Sequence, residues 1–387
     1  YYGSKDNVIA ANKAFIVNRV GDFGFLLGVV TLFFALGQVD LSFGTIEANI
    51  GNTTNSLLIL SGFLLFVGAM GKSAQVPLYV WLPDAMAGPT PISALIHAAT
   101  MVTAGIYMVA RFHFLYSGIE EIGLFIAYIG AFSALLAAFI ATRQTDIKKI
   151  LAYSTMSQLG YMFIAVGLGF YSTGLFHVFT HAFFKAMLFM GAGGIIIALH
   201  HEQNIFKIAK HRANLPIIGL TFLIGVIAIS GIPPFSGFFS KDAILAAAFQ
   251  EGQYLIYGIA LFTAFLTAYY MFRMYFIVFV APNHHDVDYV YTSKTITLPL
   301  LILAIGAVGA GFLNLPSIFG GNHFVDTWLG QLNSKVIHLD HSTEYILMIL
   351  SVVVAACGIF VAYKKYANFD LSKEETETGF VGRKLYV

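Results

Sequence analysis

Long apolar runs separated by short polar connections dominate the chain. About 20 mainly apolar residues cross a bilayer as a helix, and the backbone polar groups must find their partners within that segment. On this rule the pattern predicts ten crossings, at residues 14–37, 57–86, 91–113, 119–141, 147–169, 172–199, 215–249, 253–281, 295–313 and 343–363. The less apolar stretch 315–342 is predicted to be a loop with an interfacial piece. The pattern therefore predicts an all-α polytopic membrane protein.

The positions of the cationic residues agree with this count. With the N-terminus placed on side one of the membrane, 16 of the 21 Lys and Arg are assigned to side one and two to side two. Cytoplasmic connections carry an excess of Lys and Arg. We therefore expect side one, with both ends of this sequence, to be cytoplasmic.

The composition excludes several other classes of protein. Hydrophobic residues make up 58% of the chain and charged residues 11%, against about 25% charged residues in a soluble domain. A net charge of +1 provides no basic face for a nucleic acid. Cys357 is the single cysteine, and the glycine-rich dinucleotide and triphosphate motifs are absent, so we expect no cofactor in this chain. The sequence begins on Tyr1, and we expect it to be part of a longer protein.

Three lysines, Lys72, Lys185 and Lys241, fall inside predicted crossings. A Lys near the centre of a membrane helix costs about 2.5–3.5 kcal/mol on insertion scales. Snorkelling to the interface or silent pairing inside the bundle would explain such a residue without a function. Intramembrane ions more often mark an ion pathway, and this is the hypothesis we adopt for all three.

Two of the lysines coincide with predicted helix breaks. Gly and Pro residues interrupt 57–86 beside Lys72, and Gly231-Ile232-Pro233-Pro234 interrupts 215–249 before Lys241. Ser240 is expected to cap the restarting helix, with Asp242 in its first turn. Two broken helices suggest an internal inverted repeat. We assign 1–113 to the first repeat, 119–281 to the second, 295–363 to two additional helices and 364–387 to a cytoplasmic segment.

Between the two breaks, His177, His181 and Lys185 are spaced four residues apart, so they lie on one helix face. Three titratable groups in a row favour a proton relay. A hydrogen-bonded histidine pair and a zinc site are the alternatives, although no Cys or carboxylate completes a zinc site nearby. We also propose His97 for the relay, and Asp22 as a partner of Arg19 or as a modulator.

The remaining histidines are expected to be solvated. His200, His201 and His211 fall in a cytoplasmic connection. His284 and His285 precede Asp286 and Asp288 in a polar loop, where adventitious metal binding is the weaker alternative.

Several sequence runs resemble the antiporter-like membrane subunits of respiratory complex I, the NADH:quinone oxidoreductase. They are GKSAQVPL at 71–78, WLPDAMAGPTP at 81–91, SALIHAATMV at 93–102, QTDIKKILAYSTMSQ at 144–158, HAFFKA at 181–186 and GFFSKD at 237–242. The chain is most similar to the distal of these subunits. The run 200–207 resembles that subunit more than the large Mrp antiporter subunit, and Lys241 separates the chain from the neighbouring subunit M, where a Glu is expected in the second broken helix.

The resemblance implies a role for each of the residues singled out above. Lys72 would be the central Lys of a first half-channel and Lys241 the terminal residue of a second, with the other relay residues bridging them and with Asp22 and Asp242 as modulators. Lys72 would pair with a Glu on a helix upstream of this sequence. A long lateral helix would follow it.

The resemblance also implies partners and a location. We expect a bacterial inner membrane and the other membrane-arm subunits, especially subunit M. NADH, FMN, iron–sulfur clusters and quinone would lie in partner subunits. The alternatives are a subunit of an Mrp-type Na⁺/H⁺ antiporter and an antiporter-like subunit of a membrane-bound hydrogenase.

Overall fold

The computed structural model describes residues 3–37, 40–50, 55–210, 215–282, 293–316, 319–321, 323–332 and 335–370. Within these ranges the chain is helical and forms no strand. In chain order the helices are α1 (Lys5–Ala35), α2 (Phe43–Asn49), α3 (Asn55–Lys72), α4 (Thr90–Ala98), α5 (Ala104–Arg111), α6 (His113–Tyr116), α7 (Glu120–Ala141), α8 (Ile147–Gly167), α9 (Tyr171–Ala198), α10 (Ile205–Lys210), α11 (Pro216–Ser230), α12 (Ser236–Gln250), α13 (Tyr254–Tyr275), α14 (Lys294–Gly309), α15 (Phe324–Trp328) and α16 (His341–Tyr366).

Seven of these helices are long and apolar enough to cross a membrane: α1, α7, α8, α9, α13, α14 and α16. The other three predicted crossings each consist of two consecutive parts, which are α3 with the turns that follow it, α4 with α5, and α11 with α12. The protein is therefore a multi-pass, all-helical membrane protein, as the apolar pattern predicts.

Both predicted helix breaks are present. α3 ends at Lys72, and residues 73–83 continue in turns, while α11 ends at Ser230 and is followed by Gly231 in the left-handed conformation (φ 76°) before the two prolines. The prediction that Ser240 caps the restarting helix was wrong, because α12 begins at Ser236 and Lys241 and Asp242 lie in its second turn. Side chains satisfy the backbone at the first break. The Trp81 indole donates to the Gly71 carbonyl (3.0 Å), and Ser133 Oγ accepts from the Val76 N–H (3.0 Å). Such irregular backbone is tolerated at membrane depth where it is enclosed by protein.

The prediction of one continuous helix over 91–113 was wrong. The helix is interrupted at residues 99–103, between α4 and α5. Threonine hydroxyls replace the missing helical donors. Thr100 donates to the Leu95 carbonyl (2.8 Å) and Thr103 to the Ala99 carbonyl (2.7 Å). This third break begins one residue after α4 ends, close to His97.

The boundary of α1 also differs from the prediction, since the helix begins at Lys5 and not at residue 14. Its polar first turns remain helical because a helix satisfies its own backbone whether or not it is in the apolar layer. Lys13 in this part pairs with Asp84 (2.7 Å), and so joins α1 to the turn before α4.

α8 lies at the centre of the bundle, with nearly all of its residues buried. Its contact with α7 is very close, because a Cβ added at Gly130 would lie 2.6 Å from the Gly160 carbonyl oxygen. α8 also carries a group of buried polar side chains, called its polar face below, which comprises Ser154, Thr155, Ser157 and Gln158.

Replacing Gly130 by leucine is expected to destabilise the bundle by about 1–3 kcal/mol, because the side chain would overpack against the α8 backbone. The thermal midpoint of the purified protein should fall. Gly258→Leu is the matched control, since a Cβ there meets nothing within 4 Å. An equal midpoint in the two variants would contradict the close helix contact.

Candidate functional site

α9 holds three of the predicted site residues, and all three are fully buried. His177, His181 and Lys185 each have 0% exposed surface. The His177 and His181 ring centroids are 6.3 Å apart, one helical turn along the same face. This placement agrees with the face that the four-residue spacing predicts.

Lys185 is bound by the polar face of α8. Its Nζ donates to the Leu151 carbonyl (2.9 Å) and to the Ser154 hydroxyl. It also lies 5.8 Å from the centre of the Phe189 ring, within the range of a cation–π contact. Neutral acceptors therefore replace the water that a buried ammonium loses, and no carboxylate is among these three contacts.

His177 connects α9 to α8 and α12. Its Nδ1 lies 2.8 Å from Ser240 Oγ and its Nε2 lies 3.1 Å from Gln158 Oε1. Ser240 also contacts the Thr180 hydroxyl (2.8 Å). Because the Gln158 amide oxygen only accepts, Nε2 carries the proton, and Nδ1 is left to accept from the Ser240 hydroxyl.

Lys241 reaches back across the second helix break. Its Nζ donates to the Ile229 carbonyl (3.1 Å). In a continuous helix this carbonyl would accept from the residue four positions later, but that residue is Pro233, which has no N–H. The proline therefore leaves the acceptor that the lysine uses. The adjacent Asp242 is 6% exposed and accepts a hydrogen bond from Ser351 (3.0 Å).

At the third break, a backbone carbonyl again contacts an ionisable side chain. The Ala98 carbonyl, at the end of α4, lies 3.0 Å from His181 Nδ1. Because a carbonyl only accepts, Nδ1 carries the proton, and Nε2 is left to receive or release one. His97 is also fully buried and stacks on Phe189 (4.9 Å between centroids), the same ring that Lys185 contacts.

Neither ring nitrogen of His97 has a hydrogen-bond partner among the described residues, nor does His181 Nε2. A buried polar atom without a partner costs about 1–3 kcal/mol. Ordered water is the usual partner of such atoms, and a row of them along one path suits a chain of waters.

Lys72 is the last residue of α3 and pairs with Asp22 of α1 (2.9 Å). Asp22 also lies 3.7 Å from Arg19, so the predicted local ion pair is present together with a second one. Both Lys72 and Asp22 are part-exposed, at 39% and 37% of the side chain. The close contact of α1 with α3 at Gly21 and Gly71 brings the pair together.

Sequence reasoning missed Lys148, which we counted among the cytoplasmic cations. It is 3% exposed, and its Nζ donates to the Met86 (2.5 Å) and Gly88 (2.7 Å) carbonyls. Lys148 therefore joins α8 to the turn that leads into α4. Its position as the second residue of α8, two residues after the Asp146 cap, was the available signal.

Two of the remaining histidines singled out above lie among the described residues. His200 and His201 are exposed at the end of α9, as predicted. His211, His284, His285, Asp286 and Asp288 lie outside the described residues. Among the described residues no three His, Cys, Asp or Glu side chains form a group suited to a metal ion.

Five ionisable residues thus lie close together: His97 and Lys185 contact the same Phe189 ring, His181 binds the carbonyl of Ala98 beside His97, and His177 binds Ser240, the residue before Lys241. Fold and site together define a polytopic membrane protein with buried ionisable groups placed at interrupted helices, an arrangement typical of ion-translocating proteins. The chain belongs to the family described as NADH:quinone oxidoreductase/Mrp antiporter, whose transmembrane model matches residues 1–267.

Relatives of the same kind match almost the whole chain. NADH-quinone oxidoreductase subunit L of Campylobacter jejuni is 43% identical over 97% of this chain and 61% of its own length. Subunit L of Escherichia coli is 44% identical over 94% of this chain and 57% of its own. The chain therefore spans about 60% of the length of these curated relatives.

Solved structures share the fold. A chain of the Mrp complex from Dietzia sp. DQ12-45-1b superposes with a TM-score of 0.76 at 24% identity, over 99% of this chain and 42% of that one. A chain of the membrane-bound sulfane sulfur reductase, an archaeal respiratory membrane complex, superposes with a TM-score of 0.74 at 25% identity.

Proposed function

We propose that this chain is the proton-translocating core of a complex I membrane subunit of the subunit L type. Protons would move along a row of six residues, coupled to electron transfer in other subunits. The row consists of Lys72, His97, Lys185, His181, His177 and Lys241. Asp22 and Asp242 would modulate the two terminal lysines. The chain would itself carry no redox cofactor, with NADH, FMN, iron–sulfur clusters and quinone bound by its partners.

The observation that carries this proposal is the way in which the buried ionisable groups are held. Lys185, Lys241 and His181 bind uncharged acceptors, namely backbone carbonyls and a hydroxyl. A neutral acceptor keeps both the protonated and the deprotonated form of its partner accessible, whereas a fixed carboxylate would favour the charged form. Such groups can pass a proton on and be reset.

The relatives support complex I over a stand-alone antiporter, since the subunit L proteins are 43–44% identical and the Mrp chain 24%. Partners would then include the other membrane-arm subunits, especially subunit M. The location would be the bacterial inner membrane, with side one cytoplasmic. A subunit of an Mrp-type Na⁺/H⁺ antiporter is the second candidate, favoured by the shared fold.

The test is NADH-driven proton uptake in inverted membrane vesicles that carry the full-length protein in its complex. Lys241→Met removes one titratable step and roughly keeps the side-chain volume. We expect uptake per NADH to fall severalfold while the complex remains assembled.

His200→Ala is the control, because that side chain is exposed and outside the row. Undiminished NADH-linked uptake in Lys241→Met, together with a loss of Na⁺/H⁺ exchange, would instead favour the antiporter.

A further inference from the structure

A cavity of about 410 Å³ lies at the side-two end of α12 and α16. Asp242 reaches it from inside the bundle, and Glu344 in the first turn of α16 lines it nearer to the outside. With about 30 Å³ for each liquid water, this space holds on the order of ten water molecules. The cavity therefore joins the buried end of the row to the membrane surface.

α16 aligns the two carboxylates along one face. Ser351 of this helix donates to Asp242, and Glu344 precedes Ser351 by seven residues. Seven residues are almost two full turns, so Glu344 and Ser351 share a face and are separated by about 10 Å along the axis. Glu344 is thus about two turns closer to side two than the hydroxyl that binds Asp242.

Residues 335–340 form a strap across the outer side of this cavity. Gln250, the last residue of α12, donates to the Val336 carbonyl (2.9 Å) and accepts from the His338 N–H (2.6 Å). Next to it, Glu251 pairs with Lys335. Asp340 ends the strap as the N-cap of α16, where two hydrogen bonds from Thr343 lower its pKa.

We propose that Glu344 is the outermost proton carrier on the exit from Lys241 and Asp242 to side two, and that the strap walls this exit off from the bulk solvent. This inference rests on the proposed function. The Lys241 ammonium gives its proton to the Asp242 carboxylate, which passes it through the cavity water to the Glu344 carboxylate. Glu344 then releases it to water on side two, and each group returns to its starting form.

Glu344→Gln in the full-length complex tests the assignment, since the amide keeps the shape but cannot carry the proton. We expect proton uptake per NADH to fall about fivefold or more, because a positioned acid or base contributes about a hundredfold to proton transfer. Glu344→Asp should restore part of it.

Glu121→Gln is the matched control, an exposed carboxylate in the first turn of α7 that does not line this cavity. Equal uptake in Glu344→Gln and Glu121→Gln would overturn the exit assignment. Lys241→Met in the same experiment separates the two levels of the argument. If Lys241→Met blocks uptake and Glu344→Gln does not, only the assignment of Glu344 to the exit is wrong. If Lys241→Met also pumps normally, the proposed function is wrong.

A second measurement asks from which side the position is reached. In a Cys357→Ser background, a membrane-impermeant thiol reagent should modify Glu344→Cys from side two. Replacing Gln250 by Ala, which removes two strap hydrogen bonds, should speed that reaction. Modification from side one would contradict the placement of Glu344 on the exit. An unchanged rate of modification with Gln250→Ala would contradict the role of the strap.

Discussion

Replacing Lys185 by methionine in the full-length protein is expected to reduce NADH-driven proton uptake to below about a tenth of the wild-type value, because a positioned titratable group contributes about a hundredfold or more to proton transfer. Lys185 lies within the row, with His181 one turn away on α9 and His97 on the other side of their shared contact with Phe189. The assembled complex should remain, because an apolar residue of similar volume often replaces a buried charge without loss of stability.

Lys185→Arg separates a proton carrier from a structural cation. Arginine keeps the charge but does not deprotonate in proteins. We expect Lys185→Arg to pump as poorly as Lys185→Met. Restored uptake in the arginine variant would show that the position needs only a positive charge. Lys207→Met, at an exposed position on α10, is the control for the change itself.

Replacing Gly237 by valine is expected to damage the second half of the molecule most severely. A Cβ at Gly237 would overlap the Ala228 carbonyl oxygen and lie 2.9 Å from its carbon. α12 would have to move away from α11, at a cost of about 1–3 kcal/mol or more from overpacking. Lys241, four residues later, would lose its contact with Ile229.

The amount of assembled complex in the membrane and its thermal midpoint measure this effect. Gly309→Val is the control, since a Cβ at the end of α14 meets nothing within 4 Å. We expect less assembled complex and little uptake with Gly237→Val, and wild-type behaviour with Gly309→Val. Normal assembly with normal pumping would show that α11 and α12 do not need this close approach.

The two breaks beside Lys72 and Lys241 could be predicted because glycine and proline act on the backbone of their own segment. The third break could not, because residues 99–103 contain neither. It is held by the hydroxyls of Thr100 and Thr103 and, from another helix, by the His181 ring. Contacts between elements distant in the chain leave no periodic signal in a single sequence.

The same limit explains the two revisions at the site. Charge counting placed Lys148 among the side-one cations, since nothing local indicates that the turn before α4 covers it. Asp22 was paired with Arg19 from their spacing alone. Its shorter contact with Lys72 depends on the close packing of α1 and α3. The ionisable residues of the row could be predicted from the sequence, whereas the groups that they contact could not.

Pro233 has a consequence for how this region can change over evolutionary time. Because it leaves an oxygen on Ile229 for the Lys241 amine, the number of residues between the proline and the lysine is fixed by geometry. Inserting or deleting one residue in that interval would rotate the lysine by about 100° around its helix, away from the oxygen. We therefore expect homologous chains to tolerate side-chain changes between these two positions far better than changes in length.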